Sequence, residues 1–200
     1  MSSQLRVSVL LDWQNVYERG LEAFPQIWGQ PDPLKVAQFL ARDRDLKKGV
    51  SVDLTSVSVF FGVASPERDP KTHGARQRQM QHWRSLTDRI HLVSRPLRYG
   101  SGMPVEKGID VAVAIELVRC AAFEPDCDVA ILFSVDTDLL PALELIAREK
   151  GPEMVEVAAW EAPGANPPLR IAGGLRIRQH RLPEHVYRAC LDVRNYNLGL

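Results

Sequence analysis

The sequence has few cysteines and no net charge, and both shortages exclude classes of protein. Its 200 residues include three cysteines, Cys120, Cys127 and Cys190, with no CxxC pair. An odd number without ligand-like spacing argues against a disulfide framework and a cysteine zinc site. Lysine plus arginine equals aspartate plus glutamate at 25 each, so no overall charge attracts nucleic acid. Any basic binding surface must come from local segregation of charge.

Two further absences concern membranes and dinucleotides. No apolar run approaches the ~20 residues that a membrane span needs, and no segment of signal-peptide character precedes the first predicted strand. No G-x-G-x-x-G motif follows a predicted strand, which disfavours a dinucleotide-binding fold. We therefore expect no membrane partner and a cytoplasmic location.

Short apolar runs alternate with helical patterns along the chain. The runs predict strands at 5–11, 57–63, 90–97, 129–134 and 154–159. The helical patterns predict helices at 34–47, 76–87, 110–122 and 139–150, and loops at 65–75 and 98–108. Strands separated by helices form βαβ units, which indicates an α/β fold with a mostly parallel sheet. Residues 161–174 are expected to be a mobile connector, and the chain from 175 a short strand and helix.

Acidic residues follow the predicted strands. Asp12 comes directly after the first strand and Asp136 after the fourth, with Asp138 two positions further on. Asp110 opens a helix after the loop that leaves the third strand. Because ligands bind at the carboxyl ends of parallel strands, these four acids are expected at one edge of the sheet. Asp110 and Asp138 are also good helix N-cap candidates, whereas Asp12 and Asp136 have a weaker local explanation.

Four clustered carboxylates repel one another unless cations or protons compensate. Mg²⁺ or Mn²⁺ would neutralise them, because these hard cations prefer carboxylate oxygens and retain several waters. Such ions activate water and stabilise in-line displacement at phosphorus, which is the chemistry of phosphodiester hydrolysis. The sequence has no paired cysteines and no pair of histidines at metal-ligand spacing, so a zinc site is disfavoured.

Other residues could contribute to this site. Asn15 could orient Asp12, bind a phosphate or a metal-bound water, or cap a helix. Glu116 could reach the site from its helix or pair with Arg119, and Lys107 could bind a phosphate or lie in solvent. Eight basic residues with two acids between them could track an RNA backbone: Arg68, Lys71, Arg76, Arg78, Arg84, Arg89, Arg95 and Arg98.

Three blocks resemble one family. DWQN at 12–15, EKGIDVAVAIELV at 106–118 and ILFSVDTDLLPALELIAREKG at 131–151 are together similar to an NYN domain, in the LabA-like branch of the PIN-like nucleases. The resemblance implies a three-layer α/β/α PIN-like fold over residues 1–160, with 161–200 as an extension packed on the same domain. It also implies a metal-dependent ribonuclease site with Mg²⁺ or Mn²⁺. RNA would be the substrate, and a homodimer is possible.

Carried over by position, the resemblance implies catalytic and metal-binding roles for Asp12, Asp110, Asp136 and Asp138. It adds Glu116 as a metal ligand where the family usually has Asp, and Asn15, Lys107 and Ser134 as substrate-binding residues. Val135 replaces the small residue common between Ser134 and Asp136 in the family. Glu116 and Val135 leave open an alternative, a catalytically weak RNA-binding or regulatory NYN module.

Two other classes of function are open to the residues alone. A D-x-D motif after a buried strand is also typical of phosphatases with an aspartyl nucleophile. That class usually has Thr or Val four positions after the first Asp, where this chain has Leu140, and its nucleophile strand usually comes first. In an interaction protein, the third possibility, the acids would matter only for ion-stabilised folding.

Overall fold

A computed structural model describes residues 4–48, 51–100 and 102–198. The strands in these ranges, in chain order, are β1 (Leu5–Asp12), β2 (Gln30–Pro31), β3 (Val52–Val63), β4 (Ile90–Pro96), β5 (Val129–Phe133), β6 (Val155–Trp160), β7 (Arg178–Leu182) and β8 (Leu191–Asp192). Across the described part of the chain, six strands form one parallel sheet in the order β4-β3-β1-β5-β6-β7. Strands β2 and β8 pair antiparallel beside it.

Helices connect the parallel strands. They are α1 (Trp13–Ala23), α2 (Pro33–Lys48), α3 (Pro70–Leu86), α4 (Ile109–Ala122), α5 (Leu140–Glu149) and α6 (Glu184–Ala189). A single 3₁₀ turn at Thr137–Leu139 leads into α5. None of the helices in the described ranges is long and apolar enough to cross a membrane.

The sheet is buried on both faces, because its strand residues alternate between two apolar clusters. Val9 and Leu11 of β1 pack with Trp13 and Trp83 on the face that carries α1, α2 and α3. Leu10 points to the opposite face, where α4 and α5 lie. The predicted three-layer α/β/α fold with its mostly parallel central sheet is confirmed.

Several predicted boundaries were wrong. No helix was predicted for α1, whose buried face consists of Trp13, Val16 and Gly20 and so includes a glycine, a residue of low helix propensity. Helix α3 begins at Pro70, inside the predicted 65–75 loop, because Asp69 accepts a hydrogen bond from the Thr72 amide and Pro70 suits the first turn. Strand β3 begins at Val52 rather than at 57. The short strand and helix expected after 175 are β7 and α6.

A buried ionic network joins the C-terminal strand to the sheet. Glu156 in β6 is ion-paired with Arg44 of α2, and its Oε2 lies 2.7 Å from His180 Nε2 of β7. His180 Nδ1 lies 2.8 Å from the carboxylate of Asp43. Glu156 and His180 are almost fully buried. The network therefore ties α2, β6 and β7 together through groups that are costly to leave unpaired.

We predict that Glu156→Gln lowers the free energy of unfolding by about 3–5 kcal/mol, because Arg44 and His180 lose a buried charge partner. Denaturant titration followed by circular dichroism measures this. Glu161→Gln is the matched control, since the pair of Glu161 with Arg181 is exposed and long, at 3.9 Å. Its expected cost is below about 1 kcal/mol. Equal losses in the two variants would contradict the structural role of the network.

Candidate active site

The candidate site lies at the point where the strand order reverses. The connections from β1 to β3 and from β3 to β4 build the sheet in one direction, whereas β5, β6 and β7 extend it in the other. Strands β1 and β5 are neighbours, with Leu11 opposite Phe133. Their carboxyl ends therefore flank the crevice in which open parallel α/β sheets bind ligands. Asp12 and Ser134 follow directly from this pair.

Asp12 is held by three donors. Its Oδ2 accepts a hydrogen bond from the Asn15 side chain at 2.6 Å and from the Ser134 hydroxyl at 2.9 Å. Its Oδ1 accepts from the Asn15 amide at 3.4 Å, which caps α1. Burial raises the pKa of Asp12, the hydrogen bonds from Ser134 and Asn15 lower it, and the nearby charge of Asp136 raises it. A buried, fixed carboxylate therefore stands at the end of β1.

The residues that cap the helices at this edge of the sheet differ from the predicted ones. Asp136 caps the 3₁₀ turn, since its Oδ1 accepts the Asp138 amide at 3.0 Å. Helix α4 begins after Gly108, which has a left-handed φ of 78°, and Asp110 lies within its first turn. The N-caps at this edge are thus Asp12 and Asp136, not Asp110 and Asp138, and the expected cap assignment was wrong.

Three of the four predicted acids share one cavity. Asp12, Asp110 and Asp136 line a cavity of about 290 Å³, together with Asn15 and Lys107. Asp110 and Asp136 are half-buried, and Lys107 is exposed at the rim. An oxygen-rich cavity that mixes carboxylates and an amide suits hard divalent cations that keep part of their water shell.

Two predicted metal ligands lie outside this lining. Asp138 is exposed in the 3₁₀ turn. Glu116 is ion-paired with Arg119 at 2.6 Å, three residues along α4, and this contact lowers its pKa. Of the two arrangements open to Glu116, pairing with Arg119 is the one the structure adopts.

The predicted substrate-binding residues make mixed contacts. Ser134 is fully buried, and its hydroxyl donates to Asp12 and accepts from the Asp136 amide at 3.1 Å. Asn15 donates to Asp12 and accepts from the Val135 amide at 3.4 Å. Both side chains therefore position the acids, whereas Lys107 leaves its amine at the rim of the cavity.

Glu106 is a lining acid that the sequence analysis missed. Its Oε1 accepts the Gly62 amide at 2.6 Å, next to the end of β3. A Cβ at Gly62 would lie 2.3 Å from Leu97 and 2.7 Å from that oxygen, so the lack of a side chain at Gly62 leaves room for the approach. Burial raises the pKa of Glu106, and the charge of Asp12 adds to the rise. The sequence cue that could have identified Glu106 was its position next to Lys107. The path of the loop that carries both residues cannot be predicted from the sequence.

Arg76 is a half-buried cation near Glu106. Its guanidinium lies over the ring of Phe61 at 5.1 Å and donates to Gln79 at 2.5 Å. Burial lowers the pKa of Arg76, while the charge of Glu106 raises it. Several carboxylates therefore lie near one half-buried guanidinium and one exposed amine, an excess of negative charge that favours binding of a cation.

The basic segment is less available to RNA than its composition suggests. Arg78 donates to the Tyr196 carbonyl at 2.8 Å, and Arg89 forms an ion pair with Asp53 at 3.1 Å. Arg68 lies over the ring of Tyr99 at 5.0 Å. Together with Arg76, these arginines are engaged in contacts within the fold.

A closer group of possible metal ligands lies elsewhere. Within the described residues, ligand atoms of Asp32, His82 and Asp192 lie within 4.8 Å of one another, the one such triad found there. Asp32 accepts the Lys35 amide at 3.0 Å in the first turn of α2, and Asp192 accepts the hydroxyl of Tyr196. None of the three lines the cavity of Asp12. Among the described residues, the acids of that cavity do not form such a close group.

Comparison with known proteins identifies the family. The model of the NYN domain family matches residues 6–173, which is most of the chain. The chain therefore belongs to the NYN domain family of the PIN-like superfamily, as predicted. Searches of curated proteins and of solved structures returned no significant match. Family membership indicates a nuclease-like function related to RNA.

We predict that Ser134→Ala destabilises the protein by about 1–2 kcal/mol near neutral pH, because a buried donor to Asp12 is lost. The variant also raises the pKa of Asp12 further, since the Ser134 hydrogen bond lowers it. A raised native pKa contributes stability below the ordinary value of 3.8, and that contribution is lost as pH rises through the native pKa. The cost should therefore be larger at about pH 7 than at about pH 3.

Carboxyl ¹³C NMR titration of Asp12 and urea unfolding at both pH values measure the two effects. Ser94→Ala, at an exposed position of β4, is the control and should change neither quantity. An unchanged Asp12 titration in Ser134→Ala would contradict the assigned hydrogen bond.

Proposed function

We propose that the protein is a metal-dependent endoribonuclease that hydrolyses RNA phosphodiester bonds with Mg²⁺ or Mn²⁺. The observation that carries the proposal is the placement of Asp12, Asp110 and Asp136 around one cavity at the switch point of an NYN domain. The donor set consists of oxygens, which fits these ions and not zinc. An ion bound there would lower the pKa of a water molecule and neutralise charge on the phosphate.

Individual side chains around the cavity have different proposed roles. Asp12 is fixed by Ser134 and Asn15, so its carboxylate needs little reorganisation on binding a cation. Asp110 and Asp136 would face the same cation from α4 and from the end of β5. Lys107 at the rim would bind the substrate phosphate, and Glu106 would add a further carboxylate. We assign Asp138 and Glu116 weaker roles than the sequence suggested, because neither lines the cavity.

The test is a cleavage assay on labelled single-stranded and hairpin RNA with Mn²⁺, Mg²⁺ or EDTA. Asp136→Asn should lower the cleavage rate on the order of 100-fold, since a metal ligand is lost. Asp126→Asn is the matched control, because Asp126 is 81% exposed and pairs with Arg6 at the surface. Asp138→Asn and Glu116→Gln should reduce the rate less than Asp136→Asn does.

Equal rates for wild type and Asp136→Asn would show that the site is misplaced or that a contaminant cleaves the RNA. RNA binding without cleavage, unaffected by Asp136→Asn, would instead favour the binding module. If Asp138→Asn lowers the cleavage rate as much as Asp136→Asn does, Asp138 belongs to the catalytic acids, as the sequence analysis expected.

Metal binding can be measured without activity. We predict that Mn²⁺ raises the thermal unfolding midpoint of the wild type, because a ligand at about 100 times its Kd stabilises the native state by about 2.7 kcal/mol. Asp110→Asn should lose most of this rise, whereas Asp192→Asn, outside the cavity, should keep it. Loss of the rise in Asp192→Asn but not in Asp110→Asn would place the ion at the Asp32, His82 and Asp192 group instead.

A further inference from the structure

A group of metal-ligand side chains lies outside the acidic cavity, where the end of the chain meets α2 and α3. Asp32 directly precedes α2, His82 belongs to α3 and Asp192 belongs to β8. Ligand atoms of these three residues, the Asp–His–Asp group, lie within 4.8 Å of one another. The fold therefore brings together one imidazole and two carboxylates from three distant parts of the chain.

Both carboxylates of the Asp–His–Asp group are removed from solvent. Asp32 is 5% exposed and Asp192 is 4% exposed. Among the described residues, the cation that pairs with either of them is Arg194, whose exposed side chain lies 3.5 Å from Asp192. Two buried carboxylates at this separation repel each other, and a cation between them would remove the repulsion.

His82 supplies an independent observation that indicates a ligand. Its Nε2 is fully buried, and this nitrogen has no hydrogen-bond partner in the part of the chain that the structure describes. Within the same residues, His82 forms no hydrogen bond or ion pair with either carboxylate, although all three groups are close together. Native proteins rarely leave a buried polar atom unpaired, and an ion that is not part of the polypeptide is one explanation for such an atom.

Hydrogen bonds orient both carboxylates. Asp32 Oδ1 accepts the Lys35 amide at 3.0 Å, and its Oδ2 accepts no hydrogen bond from the described residues. Asp192 accepts the hydroxyl of Tyr196 on one oxygen and the Arg194 amide at 3.0 Å on the other. Donors of this kind are the usual outer partners of carboxylates that bind a metal, because they fix the orientation of the ligand.

The donor set selects the kind of ion. One imidazole nitrogen with two carboxylate oxygens suits Zn²⁺, whereas Mn²⁺ has the lowest affinity of the first-row divalent ions for such a set. Zinc holds these ligands at about 2.0–2.2 Å, so ligand atoms on one ion lie up to about 4 Å apart. The Asp–His–Asp group, at 4.8 Å or less, therefore needs side-chain displacements of less than about 1 Å to close around an ion.

We propose that Asp32, His82 and Asp192 bind one Zn²⁺ ion, with water in the fourth position. This site is separate from the cavity of Asp12 and does not depend on the proposed nuclease function. Zinc was disfavoured from the sequence because no ligands occur at short spacing, whereas these three are far apart in the chain.

The ion would fasten the C-terminal segment 190–196 to α2 and α3. Two hydrogen bonds already hold this segment there, since the Asp32 amide donates to the Cys190 carbonyl at 2.7 Å and Arg78 donates to the Tyr196 carbonyl at 2.8 Å. A metal ion with ligands in all three elements adds a further link, and its binding free energy stabilises the folded arrangement.

The test is calorimetric titration of Zn²⁺ into protein that has been stripped with EDTA and dialysed. Wild type should bind one Zn²⁺ tightly, and His82→Gln and Asp192→Asn should each raise the Kd about 100-fold or more, since loss of an outer partner alone costs about 10–100-fold. Tyr196→Phe removes the hydroxyl donor to Asp192 and should raise the Kd about 10-fold. His91→Gln, at an exposed position of β4, is the matched control and should keep the wild-type Kd.

A second measurement uses wild type alone, so it does not depend on whether the variants fold. In long-range ¹H–¹⁵N NMR spectra of the histidine rings, Zn²⁺ should shift the Nε2 resonance of His82. The rings of His91 and His185, both at exposed positions, should not respond at one equivalent of Zn²⁺.

The outcomes separate the zinc site from the candidate active site. Retention of the tight Zn²⁺ by both His82→Gln and Asp192→Asn would overturn the site, as would a wild type that binds no Zn²⁺ or a His82 ring that does not respond. Loss of the tight Zn²⁺ in Asp110→Asn but not in His82→Gln would place the ion in the acidic cavity and would also overturn the site. RNA cleavage enters none of these measurements, so failure of the nuclease proposal leaves the zinc site standing.

Discussion

The hydrogen bond from Ser134 to Asp12 is the contact on which the candidate site depends. It joins the ends of β1 and β5, two strands that are neighbours in space but separated by more than 100 residues. The same hydroxyl accepts the Asp136 amide, and Asn15 spans Asp12 and the Val135 amide. One small network therefore fixes two acids at the switch point of the sheet.

Burial raises the pKa values of the carboxylates at this site. Asp12 is 6% exposed, and desolvation raises its pKa despite three hydrogen bonds, from Ser134 and Asn15, that favour the charged form. Glu106 is raised for the same reason and by the charge of Asp12. A carboxylate removed from water must keep a proton or gain a positive partner. Among the described residues, the fold brings two cations near these acids, Arg76 and Lys107. The negative charge that they leave uncompensated favours a divalent ion.

The sequence predicted the acids better than their surroundings. Asp12, Asp110 and Asp136 were found because each follows a strand or opens a helix after one, and the carboxyl ends of parallel strands share an edge. Glu106 was missed because its place depends on a loop that folds back onto Gly62.

The same limit applies to the fold. Alternating strands and helices predicted the layers, because burial on both faces leaves continuous apolar runs. The pattern did not predict α1, whose buried face includes Gly20 beside Trp13 and Val16. Nor did it predict β7 as a sixth parallel strand, which is anchored by the buried Glu156–His180 pair rather than by a long apolar run. Pairs between distant polar residues depend on tertiary structure and are not visible as periodicity.

Capping and metal binding are compatible roles for Asp136. Its Oδ1 accepts the Asp138 amide, which fixes the rotation of the carboxylate. Among the described residues, Oδ2 accepts no hydrogen bond, so one oxygen remains for a cation in the cavity that Asp136 lines. The N-terminus of the following helical segment also favours negative charge at this position. The cap therefore orients the carboxylate that we propose as a metal ligand, so the local role and the proposed role of Asp136 do not exclude each other.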